Sequence, residues 1–410
     1  MRVTTGIICE YNPMHSGHAY QLRSAREAGA DCVIALMSGS FTERGELAVA
    51  DKYTRAEIAL LVGADLVLEL PYPYSAGGAE YFATAGVSIL DRLHTDTLCF
   101  GSESGDPSLL ERAAEIALSD EFRAVFAEAG RSGKGSAAAY FNLLGEFLGI
   151  PKFGSNDVLG VEYLKAIRSL GSEMKPFILK REGASYHEEV LSAENIHPSA
   201  TAIRAAFFHA IKESGDGAVA EAYARASGLD AAATEPFLRA VKANTVPVCF
   251  ENAPAAILSF YRMHDPRDFS GIAEMHGGLA ERICHAANNA ATLPEFYRLA
   301  STKKYTDSRV RRAVLYGLTG VTEEDLRRPP AYVNLLGANE VGRAFLADYR
   351  KRKDATLRIV TRPAAILEDC GDADFARESA LQRRAEALYT LFLPEKKSAG
   401  IYLRTRAVML

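Results

Sequence analysis

The sequence lacks any apolar stretch near the roughly 18 residues that a membrane span requires, so no membrane association is expected. Its start carries Arg2 and a short apolar run that polar turn residues interrupt at once, which does not read as a signal peptide. Cys-x-x-Cys pairs are missing too. The six cysteines (Cys9, Cys32, Cys99, Cys249, Cys284, Cys370) are scattered. Several sit in apolar runs and read as reduced, mostly buried thiols of a cytoplasmic protein. Positive charge is not in excess: the net charge is -5, which does not mark a general nucleic-acid binder. No internal repeat or low-complexity segment is visible.

What is present is an ordinary globular balance, 48% hydrophobic and 24% charged over 410 residues, enough for more than one core. The charge is uneven. Residues 301–410 hold 21 Lys and Arg against 14 Asp and Glu, and the first 300 hold 26 against 38. An acidic body with a basic C-terminal quarter permits local binding of a polyanion; an unevenly charged, solvated surface is the alternative.

The first hundred residues alternate between two periodicities. "VTTGIICE", "DCVIALMSG", "DLVLELP" and "TDTLCFGSE" read as strands. "GHAYQLRSAREAGA", "DKYTRAEIALLVGA" and "GGAEYFATAGVSILDRL" read as helices, the second with Asp51 as N-cap and Gly63 as C-cap. Strand–helix–strand units predict right-handed crossovers and an α/β, Rossmann-like parallel sheet whose strands are buried on both faces. "KPFILKRE" is a fifth strand candidate. Beyond Gly215 the pattern turns mainly helical, and from Ala331 short strands return in "AYVNLLGA", "RIVTRPAAI" and "AGIYLRTRAVML". The expected organisation is the parallel-sheet domain over 1–210, a helical region over 211–330 and a small, basic α+β C-terminal part over 331–410.

Ligands of such sheets sit beyond the C-terminal strand ends. That selects Glu10–His18, Ser38–Lys52, Pro71–Glu80 and Gly101–Glu103. The first segment belongs to "GIICEYNPMHSGH". His15 and His18 are spaced i, i+3 with Gly17 between them. A zinc helix needs i, i+4 and a neighbouring Glu, so a metal pair fits poorly. Two histidines that merely cap a turn and a helix are a second option. A third is a phosphate cradle: Gly17 admits a close ligand, the helix start offers unpaired N–H groups and its positive dipole end, and two imidazoles donate to phosphate oxygens as pyrophosphate leaves. This is the His-x-Gly-His arrangement of nucleotidylyl transferases.

A wider resemblance runs through "GIICEYNPMHSGH", "MSGSFTERGELAVADKYTRAEIALLVGADLVLELP", "AEYFATAGVSIL", "CFGSE", "SNDVLGVEYLKAI", "KREGASYHEEVLSAENIHPSATAIR" and "STKKYTDSRVRRAVLYGL". In this order they cover most of the first 320 residues; "YVNLLGANEVGRAFL" matches loosely. The chain resembles the tRNA(Met) cytidine acetate ligase family. The resemblance implies activation of acetate by ATP to acetyl-adenylate, then transfer of acetyl to N4 of the wobble cytidine of elongator tRNA(Met). It implies an ATP site of Ile7, Ile8, Cys9, Glu10, Tyr11, Asn12, Pro13, Met14, His15, Ser16, Gly17, His18, Ala19, Tyr20, Gly101, Asn156 and Arg181. The sequence departs from the family at Met14 (usually Phe), Ser16 (Asn), Glu43 (Gln), Leu47 (Pro) and Lys304 (Arg), and Glu43 adds negative charge to a loop expected to face phosphate.

Individual roles have plain alternatives. Arg181 is expected to contact phosphate, or to pair with Glu182 or Glu188. Asn156 would meet adenine or ribose, or cap the next helix. Gly101 would let adenine lie on the backbone, or simply make a turn. Ser199, Thr201 and Arg204 resemble a helix start that holds outer phosphates, with a capping Ser as the alternative. Arg44, Lys52 and Lys303 are second-rank phosphate or RNA candidates, or solvated charges. Mg²⁺ is expected with the triphosphate, held by phosphate and water. No residue is assigned as a metal ligand, as proton acceptor or to the acetate pocket, and oligomeric state is left open. Two other functions compete. One is adenylyl transfer to a small phosphorylated substrate, which does not need the 200 residues after the nucleotide domain. The other is RNA binding without catalysis, which does not need both histidines.

Overall fold

The apolar runs at the start of the chain become strands that alternate their side chains between two cores. In the computed structural model, which describes residues 3–131, 137–181, 199–214, 216–368 and 370–410, β1 spans Thr4–Cys9, β2 Cys32–Ser38, β3 Leu66–Leu70, β4 Thr97–Ser102 and β5 Lys175–Lys180. Ile7, Val33, Ala35 and Val67 face one core; Ile8, Ile34, Leu36 and Leu68 face the other. A strand buried on both faces has to be apolar throughout, which is why these segments show no polar alternation. Helices α1 (Ser16–Glu27), α2 (Lys52–Val62) and α3 (Ala79–Arg92) provide the crossovers. Asp51 caps α2 by accepting from the Tyr53 and Thr54 N–H groups, and Gly63 ends it at φ 129, as expected from the sequence.

With β6 (Tyr332–Ala338), β7 (Arg358–Val360) and β8 (Val408–Met409), the strand order is β5-β4-β1-β2-β3-β6-β7, with β8 paired to β6. The chain builds outward from β1 to β3, then returns to place β4 on the other side of β1. The crevice of the sheet is therefore between β1 and β4, where the winding reverses. Parallel registers run from Thr4↔Cys32 to Cys9↔Met37 and from Thr97↔Lys175 to Ser102↔Lys180. This is the expected α/β, mainly parallel architecture.

The C-terminal strands do not form a sheet of their own. β6 (Tyr332–Ala338) lies antiparallel on β3, and β7 (Arg358–Val360) and β8 (Val408–Met409) flank β6. All three extend the first sheet, because β3 would otherwise leave a buried edge with unpaired N–H and C=O groups. The helical region is tied to the first core as well: Ile203, Phe207, Tyr223 and Phe237 pack in the same cluster as Tyr11 and Met14. Among the described residues no helix is long and apolar enough to cross a membrane.

Candidate active site

The turn after β1 is held from several sides. Tyr11 takes a left-handed conformation, φ 46, uncommon for a residue with a side chain, and reverses the chain at the strand end. Arg55 of α2, fully buried, donates to the carbonyls of Glu10 (2.7 Å), Ser38 (3.0 Å), Gly39 and Ala50 (2.9 Å), so the ends of β1 and β2 share one cation. Asn12 accepts from the Val49 N–H at 2.7 Å. Arg204 donates to the Asn12 carbonyl at 2.7 Å.

His15 and His18 form a reciprocal cap at the start of α1. His15 Nδ1 accepts from the Gly17 N–H at 3.1 Å, and the His15 N–H donates to His18 Nδ1 at 3.3 Å. Their rings lie face to face, 3.8 Å apart with a 31° tilt, and Tyr11 meets His18 edge-on at 5.0 Å. Because both Nδ1 atoms accept, each neutral ring carries its proton on Nε2. Burial, and then the positive Arg181 guanidinium, lower the His18 pKa to about 3. His18 is therefore a neutral donor at physiological pH. The same geometry turns each Nδ1 lone pair away from any shared metal, and among the described residues no group of three His, Cys, Asp or Glu could hold one.

One expectation fails here. The N–H groups at the start of α1 are not unpaired. Ser16 donates to the Ser227 carbonyl at 2.7 Å, Gly17 to His15 Nδ1, and His18 to the His15 carbonyl at 2.9 Å. The helical region supplies the Ser227 carbonyl, and the Tyr223 hydroxyl donates to the Met14 carbonyl at 3.1 Å. Ser16, Gly17 and His18 therefore hold no open backbone N–H at the helix start. Ile7, Ile8, Cys9, Tyr11 and Met14 are buried, so they offer a nucleotide only backbone. Asn12, also buried, has its Oδ1 on Val49, while Pro13 lines the turn. Ser16, Ala19 and Tyr20 are half-buried on α1.

Across the crevice, a Cβ on Gly101 would stand 3.3 Å from Arg181 Cγ, so the Arg181 stem lies over the bare backbone of Gly101. Arg181, Gly101 and His18 come together. Glu182 and Glu188, the alternative partners of Arg181, lie outside the described residues. Asn156 sits in the first turn of the helix Ser155–Leu170, but Gly154 is the N-cap. The helix start is filled by Glu103, which accepts from the Asn156 and Asp157 N–H groups at 2.9 Å each and from Asn156 Nδ2 at 2.6 Å.

The remaining candidates divide. Ser199 Oγ accepts from the Ala202 N–H at 3.0 Å, the capping geometry. Arg204 is engaged by Asn12, by Thr201 Oγ1 at 3.4 Å and by Glu46 at 3.3 Å; it fixes the turn. Lys52 is corrected outright. It is 3% exposed, its ammonium 2.7 Å from Glu69 and also bonded to Glu386. Burial alone would lower its pKa, but the two carboxylates win and raise it. Lys303 is exposed and Arg44 half-buried. Glu43 gives its N–H to Glu10 at 2.8 Å and holds its carboxylate 4.0 Å from Arg312 of the helix Asp307–Thr319. That helix presses on Gly45, whose φ of 70 and 2.7 Å approach to the Arg312 nitrogen exclude a side chain. The extra charge of Glu43 is thus met by protein.

Arg55, Glu103 and Ser227 are the site residues that sequence reasoning missed. Glu103 closes the "CFGSE" motif, so its position was marked. Arg55 and Ser227 act through backbone carbonyls, which leave no residue pattern.

A family model described as HIGH Nucleotidyl Transferase matches residues 1–401. The tRNA(Met) cytidine acetate ligase of Syntrophotalea carbinolica is 35% identical over 362 residues, 85% of this chain and 82% of that protein. The protein of the same name from Thermotoga petrophila is 35% identical over 411 residues, 94% of each chain. The crystal structure of apo Thermotoga maritima TmcAL superposes with a TM-score of 0.89 at 32% identity over the whole of both chains; the form bound with alpha-thio ATP gives 0.86, also at 32%. The chain belongs to the tRNA(Met) cytidine acetate ligases, within the HIGH nucleotidyl transferase family.

Proposed function

We propose that this protein is an ATP-dependent acetate ligase that forms acetyl-adenylate and transfers acetyl to N4 of the wobble cytidine of elongator tRNA(Met). The observation that carries the reading is the His15–His18 pair at the β1/β4 crevice, with both Nδ1 atoms accepting from backbone N–H groups, so that each neutral ring carries its proton on Nε2. An acetate oxygen attacks the α-phosphorus, a P–O bond forms, and pyrophosphate leaves with the electrons of the broken bond. Negative charge builds on the phosphoryl oxygens, and fixed neutral donors plus Arg181 stabilise it without reorganising. Gly101, bare beneath the Arg181 stem, would keep that cation close to the nucleotide.

Mg²⁺ would enter with the triphosphate. A hard, strongly hydrated cation takes its oxygens from phosphate and water in such sites, so the lack of a three-residue ligand cluster among the described residues fits that mode. The tRNA would meet the basic C-terminal quarter and Lys303. Lys351, Arg352 and Lys353 are exposed there, and the Arg352–Asp354 pair at 3.1 Å lies in solvent, so phosphate displaces it at small cost. Six free thiols suit a cytoplasmic setting.

Incubation with ATP and labelled acetate, with and without tRNA, tests the reading. Label reaches tRNA only when ATP is present. Transfer of AMP to a phosphorylated metabolite instead, or tRNA binding with no ATP turnover, would replace it.

A further inference from the structure

We propose that Glu10 accepts the proton released when the cytidine amine attacks acetyl-adenylate; this rests on the ligase reading and adds the residue that completes its second step. The strand order places β1 between β4 and β2. Gly101 and Arg181 occupy the β4–β5 flank of the histidine pair, which makes that flank the nucleotide side. Glu10 directly follows the last residue of β1 and turns to the other flank, where its Oε1 accepts the Glu43 N–H of the loop after β2 at 2.8 Å. The acceptor base must approach from that side.

Glu10 is also held in place and forms no ion pair among the described residues. Arg55 pins its carbonyl at 2.7 Å, and the left-handed Tyr11 follows it. Its Oε2 accepts no hydrogen bond from the described residues. Among the described residues, the other carboxylates at this edge are committed. Glu43 faces Arg312, Glu46 pairs with Arg311 at 2.6 Å and with Arg204 at 3.3 Å, and Glu103 fills a helix start. The histidines serve as donors. Burial, outweighing the Glu43 N–H bond and the attraction of Arg204, raises the Glu10 pKa to about 7, with Glu43 and Glu46 pushing the same way. A general base works best with a pKa near the working pH.

The step balances. N4 of cytosine attacks the acetyl carbon and a C–N bond forms. The C–O bond to the adenylate breaks, and AMP leaves with that electron pair. The N4 proton passes to the Glu10 carboxylate. The exocyclic amine delocalises its lone pair into the ring, so proton removal has to accompany attack. The charged and titratable groups around Glu10 are Glu43 and Glu46 of the loop, Arg204, Arg55 of α2, Cys9 and Tyr163.

The test separates the two steps. Acetate-dependent ATP–pyrophosphate exchange without tRNA reports adenylation; single-turnover transfer from preformed acetyl-adenylate to elongator tRNA(Met) reports the second step. Glu10→Gln should lower transfer by roughly 10²–10⁴, at least tenfold more than it lowers exchange. Wild-type transfer should rise with pH through about 7, and the rise should vanish in Glu10→Gln. Glu10→Asp, which keeps a carboxylate, should recover part of the rate and the pH limb. Transfer by Glu10→Gln within about fivefold of wild type, or equal losses in both steps, would overturn the assignment. A wild-type protein with no acetate-dependent exchange would overturn the ligase reading itself, and Glu10's role with it.

Discussion

Replacing Lys52 by Met should unfold the protein far more readily than any solvated lysine would allow. The ammonium sits between Glu69 and Glu386, 2.7 Å from the former. Glu69 is fully buried and also accepts from Asn334 Nδ2 and Gln382 Nε2, each at 2.8 Å. At 2.7 Å and an effective dielectric of about 20, one such pair attracts by roughly 6 kcal/mol, and burying the charges removes much of it. Removing only the cation leaves two buried carboxylates facing each other, for which a loss of about 3–5 kcal/mol is expected. That is a 10²- to 10³-fold or larger change in the folded-to-unfolded ratio. The chain has 18 Tyr and no Trp, so urea unfolding is followed by tyrosine fluorescence beside far-UV circular dichroism. A second change, Glu386→Gln, removes one uncompensated charge and should return about 1–2 kcal/mol. A Lys52→Met protein within about 1 kcal/mol of wild type, yet deficient in tRNA binding, would refute the buried network and restore Lys52 as an RNA contact.

Gly101→Ala puts a Cβ 3.3 Å from Arg181 Cγ; steady-state kinetics should show KM for ATP raised about fivefold, with kcat changed less. Glu378 is buried, which pushes its pKa up to about 8. A carboxyl raised in the folded state stabilises fully below its unfolded pKa and loses that contribution as pH rises through the folded one. Melting temperature should therefore fall from about pH 4.5 to about 8 and level off above it, and Glu378→Gln should flatten the fall. If the basic C-terminal quarter docks tRNA through about three phosphates, affinity should drop roughly 20-fold between about 50 and 200 mM salt; a flat titration would remove it as the platform.

The parallel sheet was legible because doubly buried strands have to be continuous apolar runs. The pairing of β6 with β3 was not, since nothing local in "AYVNLLGA" says which distant edge it covers. The histidine pair was legible in type and spacing, but its neighbours were not. Ser227 seals the start of α1 through a carbonyl, which every residue carries. Lys52 looked solvated because it follows a capping Asp at a helix start, where charges usually face water. The signal that could have placed it is Glu69, a carboxylate inside the buried strand "DLVLELP", which demands a cation partner. That Gly154 and not Asn156 caps its helix was hidden for a similar reason: the carboxylate that fills the helix start, Glu103, comes from a different element.

The central claim is that neutral His18, its pKa lowered to about 3 by burial and Arg181, donates to the phosphate while acetate attacks. Acetate-dependent pyrophosphate release by wild type and His18→Ala tests it most directly. The account predicts a fall of roughly 10²–10³ in the variant, with the circular dichroism spectrum kept and the wild-type rate showing no loss between about pH 6 and 8 from His18 titration. Release by His18→Ala at the wild-type rate would contradict it.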